Sequence, residues 1–324
     1  MGAYILRRIL ISVPVLFGIS IIAFTALALA PGDPLLSRID PALRAQMDPT
    51  ALDAARRALG LDQPIPIRYL FWLRDLAQGD LGFSIVSRRS VAEDLTSRLG
   101  PTFLLMGTSL LISIIVGIPL GVIAAVRQYS WLDYLLSTLS AAFISIPGFV
   151  LSLAGIYIFA VGLRILPASG MTTLGKPFTI GDLAWHLILP AAILSLYTAS
   201  QLVRYTRASM LEVLSSDFMT TAHAKGLRGR DVLIRHGFRN ALIPVITIVG
   251  LTLPDVVAGA VITEQIFGWP GMGQLAVKAA GDRDPAPMMG IVLLVAVAVL
   301  ISNLVADLAY AVADPRIRLE KSRV

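Results

Sequence analysis

The sequence predicts an all-α integral membrane protein with about six transmembrane helices, both termini cytoplasmic, and an extracytoplasmic insert after the first helix. Three observations carry this reading: scarce charge, six long apolar runs, and an uneven distribution of Lys and Arg. Of the 324 residues, 56% are hydrophobic and only 15% are charged, whereas a soluble domain carries roughly 25% charged residues. That is too little charge to coat a soluble globule, so the lipid bilayer must be part of the solvent. The net charge of +6 would raise nucleic-acid binding in a soluble protein. In a membrane protein it follows instead from basic cytoplasmic ends, and no nucleic-acid partner is expected.

A spanning helix needs about 20 mostly apolar residues to cross a hydrocarbon core of about 30 Å. The runs that qualify are Ile9–Ala30, Phe103–Val126, Leu132–Val161, Trp185–Val203, Ala241–Val261 and Met288–Ala313. The first resembles a signal peptide in its Arg7-Arg8 start and its Ala28-Leu29-Ala30 end. Its apolar run exceeds the roughly 7–15 residues of a signal core, and it reads as a retained helix.

Direction follows from the short loops. With the N-terminus inside, the inner side collects Arg7, Arg8, Arg127, then Arg204, Arg207, Lys225, Arg228, Arg230, Arg235 and Arg239, and finally the tail. The short outer loops hold only Arg164, Lys176, Lys278 and Arg283. The domain plan is therefore 1–30 for the N-terminus and first helix, and 31–102 for the extracytoplasmic insert. A five-helix core follows over 103–313, containing a cytoplasmic loop at 206–240, and then a tail over 314–324. Prolines inside the runs (Pro14, Pro119, Pro147, Pro190, Pro244 and Pro254) predict kinks, because proline removes a helical hydrogen bond. Gly117 and Gly121 form a small-xxx-small pair that permits close helix approach.

Within the insert, Pro31 to Pro34 and Gly79 to Gly82 read as turns, Thr50–Leu59 as a short helix, and Tyr69–Leu76 as an amphipathic piece. In the inner connection, Ser215, Ser216 and Asp217 offer N-caps, Phe218–Lys225 can form a short helix, and Gly226 can end it. Asp231 then reads as the N-cap of a helix leading into the fifth span. A helix as short as the one ending at Gly226 is marginal alone and must lean on something. Composition leaves a partner's groove, the membrane surface and an ordinary basic loop all open.

The run Asp217-Phe218-Met219-Thr220-Thr221-Ala222-His223-Ala224-Lys225-Gly226-Leu227, followed by Arg235-His236 and Arg239-Asn240-Ala241-Leu242-Ile243-Pro244, resembles the cytoplasmic signature of ABC importer permeases. The dipeptide and oligopeptide B-type branch is the nearest match. Pro31-Gly32-Asp33-Pro34, Gly79-Asp80-Leu81-Gly82-Phe83-Ser84, Glu264-Gln265-Ile266-Phe267-Gly268-Trp269-Pro270-Gly271-Met272-Gly273 and Asp314-Pro315-Arg316 extend the resemblance across nearly the whole chain in the family's order.

The resemblance implies a plasma-membrane (inner-membrane) subunit that forms half of a path for short peptides. Its implied partners are a second homologous permease, two ATPase subunits and an extracytoplasmic solute-binding protein. Asp217, Phe218, Thr220, Thr221, Ala222, His223, Ala224, Lys225, Gly226, Leu227 and Arg228 would be the residues that dock into the ATPase. ATP and Mg would be bound by the ATPase partners, with no cofactor and no catalytic residue in this chain. The family's Glu-Ala-Ala opening reads Thr220-Thr221-Ala222 here. Lys225, Arg228 and Arg230, rather than a Glu, are therefore expected to carry the electrostatic contribution.

Asp255 lies inside the fifth run, where a carboxylate costs about 2.5–3.5 kcal/mol on insertion scales; a polar lining of the solute path and a buried hydrogen bond both fit. Glu264 follows that span, as an outer-mouth group or a structural one. Gly170 to Lys176 nearly spells a phosphate loop, but Pro177 stands where a hydroxyl is needed. His223 and His236 read as surface or packing residues, no metal ligand set is spelled out, and there is no cysteine. An ion-gradient-driven secondary transporter is the alternative, and it needs ionisable groups at midplane, for which only Asp255 qualifies. An intramembrane enzyme needs a nucleophile beside a base. His186 and Ser195, in one span, have the wrong helical spacing for that.

Overall fold

The computed structural model describes residues 2–30, 62–226 and 228–313, together with Thr50, Ala54 and Arg57. The expected turn at Pro31–Pro34, most of the expected helix Thr50–Leu59, Leu227 and the tail from Asp314 lie outside the described residues. The chain divides into two compact units, Met1–Gly100 with Met272–Leu300, and Pro101–Gly271 with Ile301–Val324.

The first unit begins with α1 (Gly2–Leu29), which carries Pro14 without interruption. Next comes α2 (Ile65–Ala77), the amphipathic piece expected from sequence, with Pro66 in its first turn where a missing N–H costs nothing. It packs on α1 through Phe24, Tyr69 and Trp72, whose ring centroids lie 5.5–6.1 Å apart, and through a 2.8 Å bond between the Ser20 and Tyr69 hydroxyls. The turn that follows holds Gly79 and Gly82 at φ of +82° and +88°, a region open to glycine, and Asp80 Oδ1 accepts from the Gly82 amide at 2.8 Å. The unit's core joins Val91 and Leu95, at the start of α3 (Val91–Val126), to Met272 and Leu275 of a later helix (Met272–Gly281) and to Ile291. Asp284 anchors the loop before α3: its Oδ2 accepts from Ser84 Oγ at 2.7 Å and from the Val86 amide at 3.2 Å.

In the second unit, α4 (Trp131–Ser145) and α5 (Gly148–Gly155) precede α6 (Ile180–Leu214), and α4 and α5 both pack against α6. Sequence spacing gave one kinked span over Leu132–Val161. The structure instead has two helices meeting at 102°. Ile146 sits before proline and adopts ψ 125°, and Pro147 follows at ψ 135°. The residue before proline is driven out of the helical region by the ring, and here the chain gives up helix rather than bending it. Pro119 and Pro190, by contrast, lie within unbroken helices. α6 runs on to Leu214, so the first part of the loop expected over 206–240 is helical.

Four shorter helices follow: α7 (Asp217–Ala224), α8 (Gly229–Asp231), α9 (Arg239–Thr252) and α10 (Asp255–Ala258), with a π-helical stretch Val232–Phe238 before α9. Arg228, not Asp231, occupies the N-cap position of this run. The fifth span bends by 46° at Pro244 and ends at Gly259, φ +82°, short of the expected Val261. Then come α11 (Val261–Ile266), α12 (Met272–Gly281) and α13 (Pro285–Ala313). By length and composition, four helices can each cross a membrane, and the two bent pairs bring the number to as many as six.

Close packing of α3 on α6 explains the glycine pair. A Cβ at Gly117 would lie 2.8 Å from the Ala199 carbonyl oxygen, and one at Gly121 would lie 2.6 Å from Thr206 Cβ.

Candidate functional site

The segment from Leu214 to Arg239 is built on α7. Its first-turn amide, Met219 N, donates to the Ser216 carbonyl at 3.0 Å. The Ser216 hydroxyl turns back to the Val213 carbonyl at 2.5 Å, so the side chain expected to cap α7 ties it to the end of α6 instead. The helix stops because Gly226 takes φ +75°. An added Cβ at Gly226 would meet nothing within 4 Å, so glycine is required there by backbone conformation and not by space.

One face of α7 is closed. Met219 and Ala222, spaced i and i+3, pack with Val232 against Val213 and Leu214, which fixes α7 onto the C-terminal end of α6. The other face is open: Asp217, Phe218, Thr220, Thr221, Ala224 and Lys225 are exposed, as are Gly226, Arg228, Arg230 and Arg235 beyond it. Phe218 leaves 44% of its surface uncovered. The side chain of His223 lies outside the described residues. Of the residues expected from sequence to dock, Ala222 packs inward beside Met219, while Asp217, Phe218, Thr220, Thr221, Ala224, Lys225, Gly226 and Arg228 face out; Leu227 lies outside the described residues.

The two carboxylates proposed for a solute path separate. Asp255 opens α10 directly after Pro254 and is exposed. Glu264 is fully buried, and its Oε1 accepts from Thr102 Oγ1 at 3.0 Å. Trp269, also fully buried, donates from Nε1 to the Pro101 carbonyl at 2.8 Å and from its amide to the Glu264 carbonyl at 2.8 Å. Gly271 lies so close that a Cβ there would be 2.4 Å from the Glu264 carboxylate. Glu264 is therefore a packing and hydrogen-bonding centre inside this unit, and of its two sequence readings the structural one fits the geometry.

The near-phosphate loop is accounted for as well. Thr173 gives both its amide and its hydroxyl to Asp182, at 2.7 and 2.6 Å, and Gly170 N donates to Phe267 O at 2.8 Å. Ser195 Oγ donates to the Ala192 carbonyl of its own helix at 2.7 Å, and His186 Nδ1 bonds the Asp182 carbonyl at 2.9 Å.

One feature escaped sequence reasoning. Asp133, 2% exposed in the first turn of α4, is gripped by Arg207 of α6, Nε to Oδ1 at 2.5 Å and Nη2 to Oδ2 at 2.8 Å. The signal available was the spacing Ser130-x-x-Asp133, an N-terminal capping pattern beside an otherwise apolar run.

Comparison with known proteins decides the class. The family described as "Binding-protein-dependent transport system inner membrane component" matches residues 117–319, and its N-terminal companion matches residues 1–105. The chain belongs to this family. The permease is 43% identical over 318 residues to the oligopeptide transport system permease protein AppB of Bacillus subtilis, covering 98% of this chain and 99% of that one. It is 38% identical over 316 residues to the glutathione transport system permease protein GsiC of Escherichia coli K12, covering 97% and 98%. Its fold is similar to a chain of the inward-facing MetNI methionine ABC transporter, with a TM-score of 0.56 at 16% identity over 68% of this chain and 96% of that one. The permease is accordingly a multi-pass inner-membrane subunit of an importer, and an ion-gradient-driven carrier is not favoured.

Proposed function

We propose that the permease forms half of the translocation path for short peptides, in an importer powered by separate ATPase subunits that dock on α7. Peptide as substrate is supported by the oligopeptide-transport name of the AppB relative and by the sequence resemblance to the peptide branch. Docking at α7 rests on one observation: a short helix fastened to the unit by Met219 and Ala222 leaves Phe218, Lys225, Arg228, Arg230 and Arg235 uncovered. The exposed Phe218 gives a partner's groove an apolar anchor, and the cations around the helix stop favour an acidic rim. In this reading Asp217, Phe218, Thr220, Thr221, Ala224, Lys225, Gly226 and Arg228 meet the ATPase, His223 and Leu227 belong to the same segment, and ATP and Mg are held by the ATPases. A second permease of similar fold and an extracytoplasmic solute-binding protein complete the complex. Asp255, exposed in the isolated chain, lines the path.

The test is reconstitution of the purified complex in proteoliposomes with its binding protein and a labelled di- or tripeptide. ATP-dependent accumulation is the expected result. Accumulation that follows an ion gradient without ATP, or a complex that hydrolyses ATP and moves no short peptide, would overturn the reading.

A further inference from the structure

We propose that Asp133 and Arg207 are the positioning pair through which movement of α7 reaches α4 and the broken span beyond it. This inference rests on α7 being the element that meets the ATPase.

The mechanical chain can be followed residue by residue. Met219 and Ala222 hold α7 against Val213 and Leu214 at the end of α6. From there back to Arg207, α6 is unbroken helix, so a displacement of α7 is delivered to the Arg207 guanidinium. Arg207 grips Asp133 with two parallel bonds of 2.5 and 2.8 Å, a fork geometry that fixes direction as well as distance. Asp133 in turn is fixed to its own helix start: Oδ2 accepts from the Tyr129 amide at 3.0 Å, and Oδ1 accepts from Ser137 Oγ at 3.3 Å. The Asp133 amide donates to Ser130 Oγ at 3.3 Å. The turn behind it places Tyr129 at φ +61°, a conformation unusual for a residue with a Cβ, and the bond from its amide to Asp133 helps to hold it.

Polar partners of this quality are otherwise absent between α4 and α6 among the described residues. A bidentate ion pair adds a fixed direction and distance to the apolar packing of the two helices. At the far end of α4 the chain leaves helical geometry at Ile146 and Pro147 and turns by 102° into α5. Pro147 has no amide to carry a helical bond across this break, and a break of that kind is where an angle can change most cheaply. The pair therefore stands between the part of the unit that a partner can push and the part of it that can bend.

The experiment uses the full complex in proteoliposomes, carrying Asp133→Asn, Arg207→Gln, or both. Asparagine keeps the size of Asp133 and a carbonyl for the Tyr129 amide while removing the ion pair. Three quantities are read: ATPase retained on the tagged permease, ATP hydrolysed, and solute moved per ATP. Each single variant is expected to retain the ATPase and hydrolyse ATP while solute per ATP falls by roughly tenfold, the scale of a coupling between sites. The double variant should be no worse than either single, because residues that act as one unit are not additive. Arg207→Lys, which keeps charge without the fork, should fall between.

Unchanged solute per ATP, losses that multiply in the double variant, or a loss confined to the amount of assembled complex would each overturn the proposal. If the unaltered permease retains no ATPase, the docking role of α7 falls and takes this inference with it. If it retains the ATPase and the variants keep their ratio, only the pair's role falls.

Discussion

Two stretches of the second unit are equally conspicuous in the sequence and opposite in the structure. The segment Asp217–Arg228 turns one face inward and leaves the other uncovered. The stretch Glu264–Gly271 closes on itself, with Glu264 and Trp269 at zero exposure and both tied to the start of the unit through Thr102 and Pro101. The difference lies in how many local requirements each residue meets. Around Glu264, a side-chain bond, a backbone bond and a steric limit at Gly271 all converge. At α7, Gly226 answers only to a backbone angle, and Phe218 has much of its ring uncovered. A position over-determined from within serves the fold, and a position left under-determined is available to a partner.

Substitutions ordered by their effect on stability should therefore run opposite to their effect on partner retention. Trp269→Ala comes first. Truncating a fully buried large aromatic costs about 3–5 kcal/mol, and thermal unfolding in detergent should show a large fall in Tm; an unshifted Tm breaks the comparison at its closed end. Gly271→Ala is next, at about 1–3 kcal/mol, the range for overpacking, because the Glu264 carboxylate 2.4 Å from the new Cβ must move.

Gly226→Val should cost about 1–2 kcal/mol at one backbone position, with no clash to spread it. Membrane insertion is expected to stay normal and Tm to fall by only about 2–8 °C, while uptake drops by roughly tenfold, the size of a lost intersite coupling. Normal uptake by this variant would show that the helix stop is dispensable. Phe218→Ala should be the mildest for the fold, within about 0.5 kcal/mol as for other exposed positions, yet it should weaken ATPase retention on a tagged column.

The apolar runs made the spans legible, since a helix in lipid needs only length and composition. The limits of α7 were legible too, because Ser216, Asp217 and Gly226 punctuate it. What sequence could not weigh was the strength of each punctuation mark. Pro147 and Pro190 look alike as letters, but only the first comes with an extended residue before it. Nor could it tell which carboxylate would be covered. Asp255 in the apolar run proved exposed, and Glu264 outside it proved buried, because covering depends on neighbours supplied from residues far along the chain. The Asp133–Arg207 pair was hidden for the same reason: its members stand 74 positions apart, and Arg207 on its own reads as one more inner-side cation.

The most direct measurement on the central claim exploits the absence of cysteine from the chain. A single Thr221→Cys on the open face of α7, or Met219→Cys on its closed face, would be labelled with a photoactivatable maleimide in the purified complex and then illuminated. The account predicts a crosslink from position 221 to the ATPase subunit and none from position 219. No ATPase crosslink from position 221, in a complex that retains the ATPase, would place docking elsewhere and contradict it.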